Sequence, residues 1–254
     1  MTHIEELAAL LDDAARYARS VAQIDPQGRL GLDEAYAIQK ASIERRARRG
    51  APRVGVKMGF TSRSKMLQMG LSDVIWGRLT RDMQVEEGGC IDLGDYIHPR
   101  VEPELAFILK RPVTAGMTAA QALACVEAIA PALEIIDSRY ADFKFSLTDV
   151  IADNASSSGF VIGPWADPAQ DFGNLGLALA MDGHVVQIGS TAAILGHPLR
   201  ALVAAARLAA QAGEELRAGD VVMAGAATAA EWILPGQSIS VEIQGLGQAS
   251  FKAN

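Results

Sequence analysis

"RVEPELAFILKRPVTAGMTAAQALACVEAIAPALEIIDSR", residues 100–139, decides the fold. It reads as a strand over 101–110, a loop over 111–117, a helix over 118–130 and a second strand over 132–139. Val101, Leu105, Phe107 and Leu109 form the core pattern of the first strand, and Glu102 and Glu104 sit among them with Pro103 between. Side chains two apart on a strand share a face, so the two carboxylates are neighbours. An E-x-E pair alone is more often solvated than functional. A strand–helix–strand unit of this length can return its second strand parallel to the first, which would bring Glu134 near the pair. Three carboxylates crowded into an apolar site cannot all stay ionised without a cation. Oxygen-only ligands suit Mg²⁺ or Mn²⁺, with positions left for water or substrate.

Upstream, "RVGVKMGF" (53–60) alternates like a strand, with Val54, Val56, Met58 and Phe60 on one face and Gly55, Lys57 and Gly59 on the other. Glycine in a strand marks the close approach of a ligand or another backbone, which leaves open space around Lys57. A solvated lysine is the commoner reading of that pattern alone. "SRSKMLQMG" (62–70) reads as a short helix closed by Gly70. The first fifty residues read as two amphipathic helices broken apart at Pro26 and Gly28, the second starting at Asp33 as N-cap and stopping at Gly50. No catalytic pattern lies there, and packing or subunit contact accounts for it.

Downstream, "DVIADNASSSGFVIG" (149–163) reads as a polar loop leading into a strand at 159–163. Asp182-Gly183 turns a hairpin, "HPLRALVAAARLAAQAG" (197–213) is a helix, and "DVVMAG" and "SISVEIQGLGQASF" supply strands. Strands dominate after residue 130, which predicts an α+β chain with a mixed or rolled sheet rather than βαβ repeats.

The 254 residues suit one large domain or one with an appendage. Net charge of −7 without a basic block argues against nucleic acid as partner. The acidic, amphipathic start is unlike a signal peptide, and the richest apolar run, 199–213, is interrupted by arginines, so no membrane partner is expected. Cys90 and Cys125 lack metal spacing, and a reduced, cytoplasmic protein is the simplest reading. The sequence has no G-x-G-x-x-G after a strand, no P-loop, no G-x-S-x-G and no H-E-x-x-H, and its four histidines have no ligand spacing.

"KMGFTSRSKMLQMG", "HPRVEPELAF", "APALEIIDSRYADFKFSLTDVIADNASSSGFVIG" and "LGHPL" together resemble the hydratase and decarboxylase branch of the fumarylacetoacetate hydrolase superfamily, from about residue 30 to the end. The resemblance implies a β-roll over 51–254 behind an N-terminal helical segment, 1–50. It implies an Mg²⁺ or Mn²⁺ site on Glu102, Glu104 and Glu134, an active-site lysine at Lys57, and a polar loop from Asp153 to Ser157. Asp153, Ser157 and Thr228 are the substrate-binding candidates beside Lys57. Ala224 stands where relatives often carry threonine, which leaves Thr228 as the hydroxyl of that run. The implied reaction is decarboxylation of 2-oxohex-3-enedioate to 2-hydroxypenta-2,4-dienoate in the meta-cleavage breakdown of aromatics. Hydration of 2-oxopent-4-enoate is the alternative, and a non-catalytic partner of that hydratase is a third reading. Related hydratases commonly show Pro-Asp-Phe-Gly where this chain has Val74-Ile75-Trp76-Gly77, so an apolar Ile75 replaces their acid and favours decarboxylation. A homo-oligomer and a complex with the pathway hydratase are left open.

Overall fold

The computed structural model describes residues 2–62, 66 and 72–254. The helix expected over 62–70 lies almost wholly outside the described residues. Two helices come first, α1 (His3–Arg16) and α2 (Leu32–Arg48). Thr2 and Glu5 form a reciprocal capping box that satisfies the first free N–H groups of α1. The start of α2 differs from expectation: Gly31 is its N-cap, Glu34 reaches back to the Gly31 N–H, and Asp33 sits in the first turn.

The strands are β1 (Arg53–Gly59), β2 (Ile75–Thr80), β3 (Gln84–Val85), β4 (Cys90–Ile91), β5 (Arg100–Leu109), β6 (Val126–Ile136), β7 (Ser157–Ile162), β8 (Gly176–Met181), β9 (His184–Ser190), β10 (Val221–Met223), β11 (Glu231–Trp232), β12 (Ser238–Ile243) and β13 (Gly247–Ala253). Among the described residues three more helices interrupt them: α3 (Ala119–Leu123), α4 (Leu147–Ala152) and α5 (Pro198–Gln211). One sheet runs β2-β1-β10-β5-β6-β7-β3 with β11 added on β5, and the other runs β4-β13-β12-β8-β9. Parallel and antiparallel neighbours mix in both, as in β1–β10 and β1–β2. One core joins the sheets, with Leu105, Phe107 and Leu133 from the first, Val241 and Phe251 from the second, and Leu202 from α5. A second core joins α1 and α2 to Ile75, Tyr140 and Ile151. The stretch 191–211 is long and apolar enough by composition to cross a membrane, contrary to expectation, but half of it is buried inside this fold. Cys90 and Cys125 are both free thiols.

Two corrections concern the 100–139 unit. Helix is confined to α3, and β6 already begins at Val126. Pairing with β5 explains the shortening, because residues from Val126 onward join its ladder instead of continuing a helix. The two strands also run antiparallel, not parallel. A five-residue helix advances only about 7.5 Å, whereas a parallel return must travel back the length of a ten-residue strand, roughly 33 Å. The pairing still sets Glu102 directly opposite Glu134.

Candidate metal centre

β5 alternates as its sequence suggests. Val101, Leu105, Phe107 and Leu109 enter the main core, leaving Glu102 and Glu104 on the other face. On β6, Leu133 and Ile135 enter that core and Glu134 takes the opposite face. The antiparallel register then brings one carboxylate oxygen from each of Glu102, Glu104 and Glu134 within 4.8 Å of one another. Glu104 and Glu134 are completely buried.

Lys57 on β1 completes the cluster. Its Nζ lies 2.9 Å from Glu134 Oε2 and donates a hydrogen bond to the Ala155 carbonyl at 3.0 Å. Ser157 donates to Glu134 Oε1 at 2.9 Å, and the Gly225 N–H donates to Glu104 Oε2 at 2.7 Å. Glu104 Oε1 is buried with no hydrogen-bond partner among the described residues. Burial raises the Glu104 carboxyl well above the usual carboxylate range and Glu134 adds to the rise, both against the pull of Lys57. Glu134 is also raised, by burial first, even with Lys57 beside it. Burial pushes Lys57 down, but Glu134, Glu102 and Glu104 outweigh it and hold its pKa up, so the amine stays protonated.

Those donors fit a hard divalent ion. Three carboxylates and one ammonium leave two negative charges, which is the charge such an ion brings, and the orphaned Glu104 oxygen is a ready ligand. The chain would hold it through Glu102, Glu104 and Glu134.

A cavity of about 90 Å³ adjoins the cluster, with Lys57, Glu102 and Ser156 on its polar side and Ile75, Phe145 and Val150 among its apolar walls. The expected open space around Lys57 has another origin. A Cβ on Gly55 would come 2.0 Å from the Val221 carbonyl oxygen, and one on Gly59 would come 2.9 Å from the Ile75 side chain. These glycines admit β10 and Ile75, not a ligand.

The expected polar loop at 149–163 is largely ordered structure. Ser146 and Asp149 form the capping box of α4, an S-x-x-D signal legible in "SLTD", and β7 starts at Ser157 rather than 159. Between them Asn154, Ala155 and Ser156 all have φ between 51° and 59°. Asp153 does not reach the cavity: its carboxylate is taken by the Arg139 side chain and N–H. Thr228 does not reach it either. Its hydroxyl donates to the Ala229 carbonyl and its methyl packs on Gly189. Ser157 faces Glu134 rather than open space. Sequence reasoning missed Arg139, whose guanidinium holds the loop through Asp153, Ser157 and Ser158. It also missed the cavity role of Phe143, Phe145 and Ser156. Ser156 lay within the quoted serine run, but only its backbone conformation sets it apart.

Fold and site define a metal-binding β-roll, and residues 71–252 match the family described as "Fumarylacetoacetate (FAA) hydrolase C-terminal". The chain belongs to the fumarylacetoacetate hydrolase family. It is 58% identical over 248 residues to a 4-oxalocrotonate decarboxylase of Pseudomonas sp, covering 98% of this chain and 97% of that one. The solved 4-oxalocrotonate decarboxylase from Pseudomonas putida G7, complexed with magnesium and adipate, superposes with a TM-score of 0.96 at 36% identity, covering 100% of this chain and 99% of that one. A 2-keto-4-pentenoate hydratase of Paraburkholderia xenovorans (strain LB400) is 35% identical over 98% of this chain and 95% of its own.

Proposed function

We propose that this chain is a divalent-metal-dependent carboxy-lyase that converts 2-oxohex-3-enedioate (4-oxalocrotonate) into 2-hydroxypenta-2,4-dienoate and CO₂. One observation carries the reading: three carboxylates cluster with Lys57, and Lys57 and Glu102 line a cavity that Ile75 also lines. Similarity of 58% to a decarboxylase, against 35% to a hydratase, supports it. We assign the metal to Glu102, Glu104 and Glu134, with Mg²⁺ or Mn²⁺ as the ion, and residues 51–254 as the catalytic unit of a cytoplasmic enzyme. A homo-oligomer or a complex with the pathway hydratase is compatible with this reading.

The substrate's distal carboxylate is vinylogously β to its ketone. Breaking the C5–C6 bond releases CO₂, the bonding pair moves through C4 and C3 to the 2-oxygen, and the dienolate takes one proton from solvent to give the dienol. A bound divalent ion supplies Lewis acidity where that charge develops. Lys57 adds a fixed ammonium beside the same carboxylates. Its raised pKa makes it a hydrogen-bond donor and charge, not a base. Ser157 and the Gly225 N–H fix Glu134 and Glu104, so the site needs no reorganisation when charge appears. Ile75, Phe145 and Val150 keep these walls apolar, and among the described lining residues Glu102, assigned to the metal, is the only carboxylate.

Hydration requires a positioned acid or base. Asp73 cannot serve, since it pairs with Arg207 at 2.8 Å and lines a different cavity, and Asp153 is held by Arg139. The test is purified protein with Mg²⁺ or Mn²⁺ and 2-oxohex-3-enedioate. Release of CO₂ with accumulation of 2-hydroxypenta-2,4-dienoate is expected, and 4-hydroxy-2-oxopentanoate as the product would refute the reading.

A further inference from the structure

Ser156 is a cavity group the reaction has not used. It is 4% exposed, lines the cavity, and its Oγ has no hydrogen-bond partner among the described residues. The backbone of Ser156 is fully engaged: its N–H donates to the Asp153 carbonyl at 2.9 Å and its own carbonyl accepts from the Asp137 N–H at 2.8 Å. The free hydroxyl is therefore not a by-product of a loose turn.

The segment that carries it is strained and held. Asn154, Ala155 and Ser156 occupy the left-handed region in succession, at φ of 51°, 51° and 59°. Non-glycine residues rarely do so, and such strain persists where the surroundings over-determine it. Here they do. Asn154 bonds the Arg78 backbone in both directions, Arg139 grips Asp153, and Lys57 takes the Ala155 carbonyl. The strained turn separates two serine hydroxyls: Ser157 addresses Glu134, and Ser156 lines the cavity that Val150 and Phe145 also line.

We propose that Ser156 Oγ donates the hydrogen bond that holds the distal carboxylate of the oxo-dicarboxylate, the one lost as CO₂. This rests on the decarboxylase reading above. The 1-carboxylate and 2-oxo end belongs with the metal ligands and Lys57, which leaves the distal carboxylate to the rest of the cavity, lined by Ser156 together with Ile75, Phe145 and Val150. A bare hydroxyl there is completed by an acceptor. A neutral donor also suits the chemistry better than a cation. It fixes the direction of the C5–C6 bond without strongly stabilising the carboxylate that must disappear, and only interactions stronger in the transition state accelerate the step. Arg100 agrees with this. It shares the β5 face of Glu102, yet its guanidinium is held 4.2 Å from the Phe143 ring centre and 3.9 Å from that of Trp232, and it does not line the cavity.

The test compares two probes on the metal-loaded protein by calorimetry: 2-oxohexanedioate and 2-oxohexanoate, which share the 1-carboxylate and 2-oxo group and differ in the distal carboxylate. Ser156→Ala is expected to weaken the dicarboxylate about ten-fold or more while leaving the monocarboxylate and Mg²⁺ affinities unchanged, the loss typical of a hydrogen bond to a charged group. Ser156→Gly removes the hydroxyl and relaxes the left-handed backbone, so it should show the same selective loss with an unchanged or raised Tm. That variant keeps the test open if the alanine protein folds poorly. Wild-type dicarboxylate affinity in both variants, or equal weakening of both probes, overturns the proposal. If the wild type releases no CO₂ but the selective loss persists, the reaction assignment fails and the Ser156 contact stands.

Discussion

Lys57 Nζ sits 2.9 Å from Glu134 Oε2, and the two buried side chains come from strands that are not neighbours: β1 is separated from β6 by β10 and β5. Removing the charge while keeping the aliphatic stem isolates what the ammonium does. Lys57→Met should lower kcat and kcat/KM together, by about 10²-fold, as for loss of one fixed donor at developing negative charge. Unchanged kinetics in a folded variant would remove Lys57 from the chemistry.

The same cluster makes metal binding pH-dependent. In the metal-free protein Glu104 and Glu134 both titrate above the usual carboxylate range, so they retain proton above pH 4.5. Ligation requires the ionised form, so binding must expel that proton, and apparent affinity rises with pH through the raised pKa values. Mg²⁺ titrations in buffers of different ionisation enthalpy should report proton release. Replacing Glu102, Glu104 or Glu134 singly by Gln should weaken metal affinity and activity, and wild-type affinity in all three would refute the ligand set.

Ile75 lines the cavity where related hydratases commonly carry an acid, so little hydration of the product is expected. Dienol added to the protein with Mg²⁺ should not be hydrated faster than in buffer with Mg²⁺ alone, followed by the loss of dienol absorbance. Metal-dependent hydration by this chain would count against decarboxylation as the main activity while leaving the metal ligands untouched.

Asp153 ties stability to pH. Burial raises its carboxyl to about 6 despite Arg139, against an ordinary 3.8. The folded state therefore binds a proton that the unfolded chain has released between those values. Its contribution is fully present below pH 3.8 and is lost as pH rises through about 6. Denaturant unfolding of Asp153→Asn should show a shallower decline across this window than the wild type. Asp153→Ala should destabilise by about 3–5 kcal/mol, because it leaves Arg139 buried without its partner.

Much of the centre was legible in the chain because strand periodicity is local. Alternation put Glu102 and Glu104 on one face of β5, and the same rule put Lys57 on the face of β1 that carries Gly55 and Gly59. The Asp182-Gly183 hairpin, the helix at 197–213 and the mixed sheet followed from turn chemistry and period. Helix extent did not follow: "TAAQALACVEAIA" has apolar residues that suit helix or strand, and pairing with β5 made its last five residues strand.

What the sequence determined by itself was which residue types share a face, and hence that a cation-binding pair of carboxylates was available on one strand. Tertiary structure alone decided by which register Glu134 joins them, which groups are spent elsewhere and which are left bare. Asp153 and Ser156 stand three residues apart in one polar run, yet the first is consumed by Arg139 and the second opens into the cavity. Composition treats those two positions alike. The difference comes from antiparallel register and from a left-handed turn held by side chains distant in sequence, contacts whose geometry no local pattern encodes.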